Sequence, residues 1–80
     1  MVRSMAKHVA RWRDVRPGDL LVHVEGRLGM LVISVTPSQQ EQLSITVMTL
    51  WSKLGLSGVE VWSVYPEHEP SIWTCDRLMP

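Results

Sequence analysis

Arg16-Pro17-Gly18-Asp19-Leu20-Leu21-Val22-His23-Val24-Glu25-Gly26-Arg27-Leu28-Gly29-Met30-Leu31-Val32-Ile33-Ser34-Val35 decides the architecture of this chain. Pro17 removes a backbone donor and disfavours helix at Arg16, so Pro17-Gly18 marks a turn. Leu20, Val22 and Val24 then alternate with Leu21, His23 and Glu25, the period-two pattern of a half-buried strand. Gly26 and Gly29 bracket a short connection. From Leu28 to Val35 every position except Gly29 and Ser34 is apolar. A strand buried on both faces reads this way, and so does one that curls so that each half faces inward in turn. The pattern opens a small, strongly bent β-barrel, a scaffold that more often binds or assembles than catalyses.

Downstream, 36–42 is a polar loop without an apolar residue. Leu43 to Trp51 reads as a third strand, with Leu43, Ile45, Val47 and Trp51 on one face and Ser44, Thr46, Met48 and Leu50 on the other. The glycine-containing turn from Lys53 to Gly58 carries Leu54 and Leu56, which either insert into a partner or fold back onto the core. Val59 to Tyr65 is a fourth strand. Pro66-Glu67-His68-Glu69-Pro70 is an acidic loop, Ser71 to Thr74 a fifth strand, and 75–78 a closing turn. Upstream, residues 4–13 fit an amphipathic helix with Ser4 as N-cap, because Met5, Val9 and Trp12 share one face. Ten residues are too few to hold a helix alone in water, so it must dock on the barrel or on another chain. The expectation is an all-β fold: a five-stranded antiparallel barrel over 17–80, preceded by a basic N-terminal arm or short helix over 1–16.

Eighty residues make one domain. A domain this small buries roughly 60% of its unfolded surface and is marginally stable without help. Cys75 is the only cysteine, so no disulfide forms within the chain. A lone cysteine without a secretory leader suits a reducing compartment. No apolar run approaches the ~20 residues that span a bilayer, so no membrane role is expected. The net charge is zero but unevenly divided. Residues 1–16 hold five cations against Asp14 alone, while 17–80 hold three cations against seven carboxylates. An acidic body is a poor surface for nucleic acid. A basic arm has two candidate partners, nucleic acid or the acidic face of a neighbouring copy. There are four tryptophans and no phenylalanine. Trp51 and Trp62 are assigned to the core; Trp12 and Trp73 are candidates for partner contact.

No catalytic, metal or cofactor residue is assigned. His8, His23, His68 and Cys75 lack metal-ligand spacing, and neighbours in Glu67-His68-Glu69 point apart on a loop. Cys75 has no histidine placed by sequence to activate it, and reads as a small buried hydrophobe. The glycines belong to turns, with no phosphate-cradling loop among them. The candidate partner-binding residues are therefore Lys7, Arg11, Trp12, Arg13 and Arg16 of the arm, with Leu54, Leu56 and Trp73 of the body.

Taken in order, Arg16-Pro17-Gly18-Asp19-Leu20-Leu21, Gly29-Met30-Leu31-Val32-Ile33-Ser34-Val35, Ile45-Thr46-Val47-Met48-Thr49-Leu50-Trp51-Ser52 and Cys75-Asp76-Arg77-Leu78 resemble an SH3-like small barrel. The pattern is similar to many short proteins of marine bacteriophages and, more distantly, to KOW and Tudor-like barrels that work with nucleic acids and peptides. It covers about residues 15–79. The 53–58 loop is longer than the short Asp-Gly turn usual in the phage group. KOW motifs carry basic residues near their first turn; here Arg27 stands beside Glu25, which counts against RNA binding by the barrel face. The resemblance implies a non-enzymatic structural or assembly protein, a capsid decoration or head-neck accessory of a phage particle. Such a protein would bind neighbouring subunits, as a homo-oligomer or larger assembly, in the virion or the host cytoplasm. The alternatives are a nucleic-acid-binding barrel that uses the arm, and an adaptor that takes a peptide at a sheet edge or near Trp51 and Trp62.

Overall fold

The computed structural model describes residues 6–78, with side chains from Val9 to Arg77. Among these residues six strands form a single antiparallel sheet: β1 (Ala6–Val9), β2 (Leu20–His23), β3 (Leu28–Pro37), β4 (Leu43–Ser52), β5 (Val59–Val64) and β6 (Trp73–Leu78). Their order across the sheet is β1-β6-β2-β3-β4-β5. From β2 to β5 the chain meanders. It then returns so that β6 lies beside β2, and β1 adds to the far side of β6. The sheet is open, with β1 and β5 as its edges. Among the described residues, no helix is long and apolar enough to cross a membrane.

Residues 6–13 do not form the expected helix. Ala6–Val9 is a strand whose Val9 pairs with Cys75, and Trp12–Asp14 is one 3-10 turn. Ser4 and Met5 lie outside the described residues. Strand pairing satisfies backbone groups along β6 that a short helix would leave open. Val9, Trp12 and Val15 still reach one core, but from a strand and a turn. The closing segment also differs. Cys75, Asp76 and Arg77 continue β6 instead of turning, and Ser71 and Ile72 precede it as a turn.

Two bulges explain how one sheet wraps its own core. Between Met30↔Thr49 and Gly29↔Trp51 the ladder skips Leu50, and between Val32↔Val47 and Ser34↔Thr46 it skips Ile33. Each extra residue bends its strand and increases the local twist. Before the second bulge Leu28, Met30 and Val32 point inward; after it Val35 does. The unbroken apolar run thus belongs to a strand that changes phase at Ile33. The first bulge moves Trp51 to the face opposite Val47, correcting the expectation that they share one. There its ring lies over Gly29, where a Cβ would overlap it. Its indole N–H donates to the Gly26 carbonyl at 3.3 Å.

The Pro17-Gly18 turn is locked into this frame. Gly18 has φ +95°, a left-handed conformation that favours glycine. Its N–H donates to the Val32 carbonyl at 2.8 Å, and the Val32 N–H donates back to the Asp19 carbonyl at 2.9 Å. These bonds deliver Asp19 to the inner side, where it is 1% exposed.

Candidate interaction surface

Asp19 is a structural centre. Arg77 grips its carboxylate with both arms, Nε to Oδ1 and Nη2 to Oδ2, each at 2.9 Å. The Arg16 N–H adds a third bond at 2.8 Å, and Nη2 of Arg77 also donates to the Asp14 carbonyl. The Asp19 bond holds the guanidinium pKa above its ordinary value. The Cys75 thiol lies 3.9 Å from Asp19 Oδ2. Burial first, and then the Asp19 charge, pushes that thiol up to about 12. It is therefore protonated at neutral pH and faces the core. His68 lies tilted against Tyr65, ring centroids 5.1 Å apart, beside a cavity of about 380 Å³ that Glu41, Pro66 and Glu67 complete. Cys75 does not line it. Among the described residues, no three His, Cys, Asp or Glu side chains come together to hold a metal.

The arm candidates separate. Lys7 sits in β1, its side chain outside the described ones. Arg11 Nη1 donates to the Glu67 carbonyl at 2.7 Å, and Arg13 Nη1 meets the Glu67 carboxylate at 3.1 Å. The Trp12 and Arg13 N–H groups donate to the carbonyls of His68 and Pro66 at 3.0 and 2.9 Å. Basic arm and acidic loop thus match within one chain. Trp12 is buried, and Trp62 joins it edge-to-face at 6.3 Å. Trp62 continues the row to Trp73 at 5.2 Å, and Trp73 meets His23 at 5.7 Å. The Trp62 indole N–H donates to Glu60 Oε1 at 3.0 Å. Trp73 is half-buried at the end of this row, and the Arg16 side chain is exposed.

Leu54 and Leu56 are exposed, and their backbone N–H groups both donate to Ser52 Oγ at 3.1 Å. They adjoin a surface that carries neither charge nor motif. On the outer face Val59 and Val61 are 61% and 63% exposed. Ile33, Leu50 and Trp51 are exposed on neighbouring strands. Cross-strand pairing makes a row of Leu20, Leu31, Met48 and Val59, which joins these residues into one apolar band. The signal was present in β5. Val59 and Val61 alternate with Trp62 and Val64, so the strand is apolar on both faces, although it lies at an edge where only one face is covered.

Fold and surface together define a small all-β domain with one open, bulged sheet, a charge-stapled turn and an exposed apolar outer face. No protein family, curated protein or solved structure matches the chain.

Proposed function

We propose that this domain is a non-enzymatic assembly module that binds neighbouring protein subunits through the outer face of β3, β4 and β5. The observation that carries this reading is the exposed band of Ile33, Leu50, Trp51, Val59 and Val61, continued by Leu54 and Leu56. Soluble monomers seldom leave such a patch uncovered, and its usual purpose is contact with another protein. We read the architecture as an SH3-like barrel. The meander with β6 returned beside β2 supports this, as do the bonds from 12–13 to the loop after β5, which bridge the open side. The resemblance to small phage proteins supports a place in a particle. Arg13 is paired with Glu67 of its own chain, so the contact between chains rests on apolar burial more than on matched charge. A nucleic-acid interface through the arm would require Arg11 and Arg13 to leave Glu67. Light scattering on the purified chain at low and high salt tests the reading. The expected result is a defined oligomer whose mass holds in high salt. A mass of 9.1 kDa at every concentration and salt overturns it.

A further inference from the structure

The two edges of the sheet are not equivalent. β1 is four residues long and carries Lys7 and His8, the short, charged form that discourages pairing. β5 is six residues long, contains no proline or lysine, and has one ionisable residue, Glu60. One side of its backbone pairs with β4. Among the described residues, the other side makes no backbone hydrogen bond, while the 12–14 turn caps only the loop beyond Tyr65. An unblunted apolar edge of this kind is a template for another strand.

We propose that β5 pairs antiparallel with β5 of a second copy of this chain across a two-fold axis at Val61, doubling the six-stranded sheet. This rests on the assembly reading above and names its partner. The strand is complementary to itself in that register. Val61 faces Val61, Val59 faces Ser63, and each Glu60 faces the Trp62 of the second copy. The two carboxylates are therefore never directly opposed, an arrangement that would be destabilising. Glu60 already accepts the indole N–H of its own Trp62, so neither the carboxylate nor the indole N–H enters the pairing without a partner. A two-fold axis normal to the sheet keeps outer face with outer face, so the apolar bands of both copies become continuous. It also brings the 53–58 loop of one copy beside Tyr65 and Pro66 of the other. Exposed Leu56 and exposed Tyr65 then cover each other.

The test is sedimentation of the full chain across a concentration series, with two substitutions at the axis and one control. The wild type is expected to form a dimer of about twice 9.1 kDa. Val61→Lys sets two ammonium groups against each other and should raise the dissociation constant by ~100-fold. Its circular dichroism should not change, because Val61 is exposed in the single chain. Val24→Lys, at an equally exposed site after β2, should leave the dimer intact. Val61→Cys should cross-link to itself on mild oxidation, since directly paired residues lie about 4.5–5.5 Å apart between Cα atoms, within disulfide reach. A wild-type oligomer that survives Val61→Lys, or a Val61→Cys chain that stays reduced, overturns the β5 pairing and leaves the assembly reading standing. A wild type that remains monomeric throughout overturns both.

Discussion

Asp19 and Arg77 meet at the β2–β6 ladder as a hydrogen-bonded pair turned toward the core, while Val59 and Val61, at the other end of the same sheet, face outward. At the first end the chain has satisfied itself. The carboxylate has its guanidinium, a backbone N–H and a thiol neighbour, and no buried polar side-chain atom among the described residues lacks a partner. At the second end apolar surface and strand edge remain open. The difference separates what holds the single chain together from what is left for a neighbour. Stability should therefore respond to the charged end, and association to the apolar one.

Asp19→Ala should have the largest effect. It leaves Arg77 beside the core without its carboxylate and strips the Arg16 N–H of its acceptor. Breaking a buried pair from one side costs ~3–5 kcal/mol, a large share of a small domain's stability. Urea unfolding should show a midpoint far below wild type; an unchanged midpoint would mean that the charged end is ornamental.

Gly29→Ala is expected to come second. Its Cβ would enter the space held by the Trp51 ring, forcing the indole off the sheet at about 1–3 kcal/mol. Trp51→Ala in the same chain should remove most of that penalty. A double-mutant cycle read by denaturation measures the coupling, and additive effects would show that ring and glycine act independently.

Alkaline pH should have a smaller, graded effect. Burial, and then Asp19, raises the Cys75 thiol from its ordinary 9.0 to about 12. A raised thiol pKa favours the folded state while the thiol is protonated. The contribution is intact below pH 9.0 and fades as pH climbs from there through about 12. The slope is at most ~1.4 kcal/mol per pH unit. Cys75→Ala should flatten that part of a stability-pH curve, and an equal decline in both proteins would remove the thiol as its cause. Arg13→Ala should matter least. It opens an exposed pair with Glu67 at 3.1 Å, for which under ~1 kcal/mol is expected, with a thermal midpoint that salt makes indistinguishable from wild type.

Much of the sheet was legible from local pattern. β2, β3, β4 and β5 fall where alternation and apolar runs place them, because a strand repeats every two residues whatever it pairs with. The N-terminal segment departs from the helical expectation for a local reason too. Val9 and Trp12 are three apart and both buried, a spacing that a helix and a strand-turn share. β6 runs on through Asp76 and Arg77, which look like turn residues but pair as strand. Arg77 is in fact an inward-facing partner to Asp19, 58 residues away, a separation that no local window spans. Of the partner-binding candidates, Arg11 and Arg13 are legible as charges, but Glu67 as their mate is not, and Trp12 belongs to the core.

Composition and periodicity were enough to define an all-β antiparallel domain with a turn at Pro17-Gly18 and its thiol held inside. These follow from short-range sterics and from the burial preferences of single residues. Folding decided which face each residue takes beyond a bulge, which charges pair, and which apolar strand lies at an edge. Each of those depends on register between distant segments. One skipped residue reverses every side chain after it, and an apolar strand reads the same in the middle of a sheet as at its border.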